Sequence, residues 1–142
     1  MNKQFKSALS LFLAFILVFS LASCGEEKET GDLWQDALYT EDTALGEGDQ
    51  SFTLIVEAAD KSVTFSIASD SKTVGEALLA LELIDGEESQ YGLYVKVVNG
   101  ITADYDVDGT YWAFYVNDTY AVTGVDSTDV VHGALYKLVR TK

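Results

Sequence analysis

Proline is absent from the 142 residues, cysteine and histidine occur once each, and Lys and Arg together number nine against 23 Asp and Glu. A single cysteine excludes an internal disulfide framework, and a single histidine argues against most zinc sites. The formal charge of −14 excludes a nucleic-acid binder, because phosphate neutralisation needs clustered Lys and Arg. It also excludes electrostatic binding to an anionic leaflet. What is present points to a globular protein. With 48% hydrophobic and 23% charged residues, the chain as a whole is not compositionally disordered, and its length suits one domain.

The N-terminus reads as an address. Lys3 and Lys6 precede an almost wholly apolar run, Ala8 to Leu21, about fourteen residues long and too short for a comfortable membrane span. The run ends in Leu21-Ala22-Ser23-Cys24, which resembles the lipobox of bacterial lipoproteins. That resemblance implies a signal peptide over 1–23, cleavage before Cys24 and diacylation of its thiol. The product would be a protein exported and lipid-anchored to the outer face of the bacterial cytoplasmic membrane. Two acyl chains hold stably where one would be marginal. Removing 1–23 takes two lysines and no acid, leaving seven cations against 23 acids, a formal −16. Cys24 is consumed by the lipid, so cysteine catalysis is excluded.

Residues 25–50 hold nine acids and one lysine, the composition of a self-repelling spacer. The stretch 24–50 is therefore an acidic tether, but Leu33, Trp34, Ala37, Leu38, Tyr39 and Leu45 are too apolar for a pure linker. Leu33, Trp34, Ala37 and Leu38 share a helical face. Segment 33–45 is expected either to dock on the domain or to bind a partner.

Periodicity changes at Ser51. Phe52, Leu54 and Val56, then Val63, Phe65 and Ile67, alternate with polar or smaller residues around Ala59-Asp60-Lys61, predicting a β-hairpin. Thr73-Val-Gly-Glu76 is a capping box opening one short helix, about 74–83, ended by Asp85-Gly86. Leu93–Val98 is strand-like up to the hairpin signal Asn99-Gly100, and Tyr111–Asn117, Tyr120–Val122 and Leu135–Arg140 complete the strands. The fold class is α+β: over 51–142, a small β-grasp-like domain with one mixed sheet and one short helix across one face. Alternation places Trp112, Phe114 and Val116, with Leu93, Val95 and Val97, toward the core. Tyr111, Ala113, Tyr115 and Asn117, with Tyr94, Lys96 and Val98, fall on the open face, where a tyrosine's apolar body and polar tip suit a partly wet surface or a flat ligand.

Asp104-x-Asp106-x-Asp108-Gly109 matches the first half of an EF-hand loop and is a weak Ca²⁺ candidate, because Tyr115 stands where the bidentate Glu belongs. Ser127, Asp129 and His132 have the residue types of a hydrolase triad, but they lie within one turn and lack a Gly-x-Ser-x-Gly elbow. His132 reads as an exposed turn residue, with a pH-sensitive contact or a cobalt ligand as its other open roles. No catalytic set is identified, and the chain is not expected to be an enzyme.

The stretch Tyr111-Trp-Ala-Phe-Tyr-Val-Asn117-Asp-Thr-Tyr120, with Thr123-Gly-Val-Asp126 and the strand Leu135–Arg140, resembles the bacterial relatives of the transcobalamin C-terminal domain. These form a domain of unknown function in lipoproteins of Gram-positive gut bacteria. Thr73–Leu78, Tyr91-Gly92 and Val98-Asn-Gly-Ile101 fit the same pattern. Two loops depart from it: His132-Gly133-Ala134 replaces an Asp-Gly-Asp-like turn, and Asn117-Asp118 replaces Asn-Gly. In the vertebrate transport proteins this domain closes over cobalamin beside a larger helical domain, which is lacking here. The resemblance implies capture of a small flat ligand, cobalamin or another corrinoid, for uptake, with an importer component or second binding protein supplying the missing half. The residues it points to are Tyr105, Trp112, Tyr115, Tyr120, Thr123, Gly124 and Val125, Trp112 being equally placed for the core. The competing reading is a surface module for protein or glycan partners, with no small-molecule ligand.

Overall fold

The computed structural model describes residues 32–142. The expected signal peptide 1–23, the expected lipidation site Cys24 and the expected tether up to residue 31 lie outside the described residues. Leu33–Lys142 form one compact unit, so the domain begins well before Ser51. Its strands are β1 (Thr43–Gly46), β2 (Gln50–Ala58), β3 (Lys61–Ser69), β4 (Ile84–Ser89), β5 (Gly92–Val98), β6 (Ile101–Thr102), β7 (Tyr111–Val116), β8 (Thr119–Tyr120) and β9 (Leu135–Thr141). The helices are α1 (Val74–Ala80) and the short α2 (Tyr105–Asp108).

Six strands form a mixed sheet in the order β1-β3-β2-β9-β7-β8. β2 and β3 make an antiparallel hairpin, β9 returns to pair parallel with β2, and β7 joins antiparallel on the far side of β9. A hairpin, a helix, and a last strand inserted beside the first give the β-grasp-like arrangement. β4, β5 and β6 form a second, antiparallel sheet, which the sequence reading had merged with the first. Among the described residues no helix is long and apolar enough to cross a membrane.

Turn chemistry accounts for the tight reversals. Ala59-Asp60, Asn99-Gly100 and Asn117-Asp118 all have left-handed backbone at both positions, the signature of type I′ turns whose twist matches the flanking strands. Asp and Asn tolerate that conformation best among residues with a Cβ, so the Asn117-Asp118 substitution leaves the β7–β8 hairpin intact. At the start of α1 the Thr73 hydroxyl accepts from the Glu76 amide at 3.2 Å, while the Glu76 carboxylate reaches back to the Lys72 amide. The helix ends at Ala80 rather than near 83. Glu82 turns left-handed (φ 57°), and Leu83 and Ile84 enter the core as the chain starts β4.

Period-2 burial in the central strands builds the core. Phe52, Leu54 and Val56 of β2, Val63, Phe65 and Ile67 of β3, Tyr136 and Leu138 of β9, and Trp112 and Phe114 of β7 are buried with Val74, Ala77 and Leu78 of α1. In β5 the expected alternation fails at its end: Val98, placed on the open side from the sequence, is fully buried. Tyr136 lies between Phe52, edge-on at 5.3 Å, and Phe114, stacked at 6.0 Å. Its hydroxyl donates to the Asp129 carbonyl and accepts from the Val131 amide, so this fully buried side chain carries no unsatisfied polar atom.

Segment 33–45 is part of this core. Trp34, in a 3₁₀ turn over Leu33–Asp36, is buried and donates its indole N–H to the Ala58 carbonyl at 2.8 Å. Tyr39 meets Phe65 edge-on, and Leu45 packs from β1, which pairs parallel with β3. Asn99 fastens the segment: its carboxamide accepts from the Tyr39 amide at 2.9 Å and donates to the Tyr39 carbonyl at 2.8 Å, while its own carbonyl accepts from Leu38. Only four residues turn helically here, and Leu38, assigned to the same face as Trp34, is left exposed.

Truncating Trp34 to Ala removes a buried aromatic and leaves a cavity, so Trp34→Ala is expected to cost about 3 kcal/mol or more in urea unfolding. A loss below about 1 kcal/mol would mean the segment is not part of the cooperative unit.

Candidate functional site

The two faces of the large sheet differ. One is covered by the core just described. On the other, the register lines up one row across five strands: Thr64, Ile55, Lys137, Tyr115 and Tyr120. At about 4.8 Å per strand this row spans roughly 19 Å. A second row, Ser62, Glu57, Val139 and Ala113, runs beside it. Apart from buried Ala113, these side chains are exposed or half-buried.

Tyr115 and Tyr120 oppose each other across the β7–β8 hairpin with centroids 5.4 Å apart and rings nearly perpendicular. The pair sits at the rim of the sheet, with Tyr120 57% exposed. In the neighbouring strand, the Lys137 ammonium lies 3.7 Å from both Glu57 and Asp118. The bare face thus carries aromatic and apolar surface beside one cation held between two carboxylates. Lys137 and Glu57 were not identified from the sequence, because their pairing depends on β9 lying next to β2.

The other candidates do not converge on this face. Trp112 is a core residue: its ring is buried on the opposite side of β7 from Tyr115, and its N–H donates to the Lys96 carbonyl at 3.2 Å. Val125 is also buried, under the 3₁₀ turn Val125–Ser127, so neither side chain is presented to a ligand. Thr123 and Gly124 are exposed, and Thr123 shares a hydroxyl hydrogen bond with Thr128. Tyr105 is 62% exposed on α2. Asp126, beside this loop, accepts from the Leu93 amide and ties it to the second sheet. A Cβ at Gly92 would stand 2.5 Å from that carboxylate, and one at Gly75 would stand 2.9 Å from the Asp126 backbone, so both glycines make room for it.

The acidic loop is committed to structure. Asp104 caps α2 through the Asp106 amide and lies 3.7 Å from Lys96. Asp108 accepts from the Thr110 amide and hydroxyl and forms an ion pair with Arg140 at 2.8 Å. Among the described residues no group of three or more His, Cys, Asp or Glu is gathered as a metal site, and Asp104, Asp106 and Asp108 are not brought together as one. The Thr110 hydroxyl, followed by the Thr110 amide and Arg140, holds the Asp108 carboxyl below its ordinary value. Hydrogen bonding to Glu87, with Asp104 adding, raises the Lys96 ammonium. Among the described residues no hydrogen bond joins the side chains of Ser127, Asp129 and His132, and His132 Nδ1 accepts instead from the Ser51 amide at 3.1 Å.

Residues 71–134 match the family model described as Domain of unknown function (DUF4430). No curated protein matches the chain. Among solved structures, one similar protein is from Ruminococcus gnavus and is described as a "putative metal binding protein". It is 29% identical with a TM-score of 0.63, over 66% of this chain and 98% of its own. Haptocorrin in complex with Cbi is 20% identical with a TM-score of 0.50, and 66% of this chain overlaps 25% of the haptocorrin chain. These findings bear out the resemblance drawn from the sequence, a domain of unknown function with a transcobalamin-like fold.

Asp108 generates a pH prediction. A carboxyl whose folded value is depressed contributes stability above its unfolded value, about 3.9, and loses it as pH falls through the lower folded value. Asp108→Asn is therefore expected to lower the melting temperature at about pH 7 and to converge with wild type as pH falls below about 4. An unchanged gap at acid pH would show that the loss is steric.

Proposed function

We propose that the chain is an exported, lipid-anchored binding protein that lays the bare face of its sheet against a small flat ligand, of which a corrinoid is the best-supported class. The row Thr64–Ile55–Lys137–Tyr115–Tyr120 carries this reading. Its length suits a broad ring, its apolar and aromatic members suit the ring face, and Lys137 and the tyrosine hydroxyls suit a rim of amides. The fold shared with part of haptocorrin supports the ligand class. An open sheet covers only one side of a ring, so a second wall comes from a partner such as an importer component. On this reading the role is binding rather than catalysis.

A second reading, a module for protein or glycan partners, is favoured by the apolar residues just beyond β8, where Val122 is fully exposed.

Calorimetric titration of residues 25–142 with cobalamin and cobinamide separates the two. Saturable one-to-one binding tighter than about 1 µM, weakened roughly tenfold by Tyr120→Ala, is the expected result. No heat with either corrinoid, on a folded sample, overturns the isolated-domain version and favours a protein partner. For the anchor, Cys24→Ala is expected to move the protein from the detergent phase to the aqueous phase of a cell extract. Retention in the detergent phase would overturn lipidation at Cys24.

A further inference from the structure

We infer that Asn99-Gly100 is a latent self-modification site, sealed by the Leu33–Tyr39 strap, whose conversion unlatches that strap. An Asn followed by Gly can react with its own backbone, because glycine has no side chain to shield its amide nitrogen. The Gly100 nitrogen attacks Asn99 Cγ, a C–N bond closes a five-membered succinimide, and the side-chain nitrogen leaves as ammonia. Water then opens the ring at either carbonyl, leaving Asp or isoaspartate at position 99. The balance is Asn plus water giving Asp plus ammonia, with no oxidant or reductant.

The docked strap opposes each requirement of this reaction. Asn99 is fully buried, which keeps out the hydrolytic water. Both ends of its carboxamide are held by the Tyr39 main chain, at 2.9 and 2.8 Å, so the side chain is not free to rotate toward the Gly100 nitrogen. The strap also lies directly on the glycine: a Cβ at Gly100 would stand 2.3 Å from the Asp36 carbonyl oxygen. Reaction therefore requires the strap to open, a local event distinct from global unfolding.

Conversion then prevents redocking. An Asp at 99 has lost the N–H pair that met the Tyr39 carbonyl, and it sets a carboxylate against that oxygen in a buried site. Isoaspartate also lengthens the main chain within a two-residue turn. The strap is thus held by the same carboxamide whose loss releases it, and release uncovers the seat of Trp34 beside Ala58.

Peptide mapping of the full chain, incubated at mildly alkaline pH, tests this through the gain of about one mass unit at position 99. Native wild type is expected to keep Asn99, the same chain in urea to convert it, and Trp34→Ala to convert it at least about tenfold faster than wild type. Leu138→Ala, a core truncation on β9, controls for lost global stability. Conversion of native wild type as fast as the urea-unfolded chain overturns the seal. No acceleration by Trp34→Ala beyond Leu138→Ala overturns the role of the strap. For the latch, Asn99→Asp is expected to red-shift Trp34 emission in a Trp112→Phe background while far-ultraviolet circular dichroism stays that of the sheet. Unshifted emission overturns the latch.

Discussion

Everything in this domain hangs on the parallel pairing of β2 with β9. The first long strand and the last strand of the chain run side by side, from Thr53 opposite Leu135 to Glu57 opposite Val139. Take β9 away and the β2–β3 hairpin loses its partner on one side, while the β7–β8 hairpin has no sheet to join. Tyr136 adds side-chain cement to this backbone joint. Its ring bridges Phe52 and Phe114 from the strands on either side, and its hydroxyl ties down the loop that precedes β9. Because β9 is central, its alternate residues Lys137 and Val139 necessarily fall on the opposite face from Tyr136 and Leu138. One pairing thus creates both the core and the opposite, uncovered face that the proposed function uses.

Local patterns in the sequence carried much of this. The alternation in β2, β3 and β7, the capping box at Thr73 and the Asn99-Gly100 turn are short-range signals, and each sits where its chemistry requires. Longer-range facts were less legible. Leu83 and Ile84 continue the apolar spacing of α1, and nothing local shows that Glu82 turns left-handed and sends them into a strand. Trp34 lies in an acidic stretch that composition reads as a tether, and its burial depends on a carbonyl 24 residues away. The candidate site was half legible for the same reason. Tyr115 and Tyr120 are hairpin neighbours, visible from a turn, whereas Lys137 reaches them only through the strand order. Trp112 and Val125 entered the site through the family resemblance, and their side chains are buried.

The bare face also explains why a strongly acidic chain keeps a lysine there. Lys137 stands between Glu57 and Asp118, so its charge is balanced locally. Such half-exposed pairs contribute little to stability. They place charged groups at fixed points on a face that otherwise mixes aromatic, aliphatic and hydroxyl side chains.

The central position of β9 has a kinetic consequence as well. The β2–β3 hairpin and α1 are complete early in the chain, but the strand that closes the sheet is the last to be synthesised. Until residues 135–141 arrive, one edge of β2 is unpaired and the apolar face has only part of its cover. Loop closure over that separation is slow relative to forming the local hairpins. The growing chain therefore cannot complete this domain's sheet until β9 has been made.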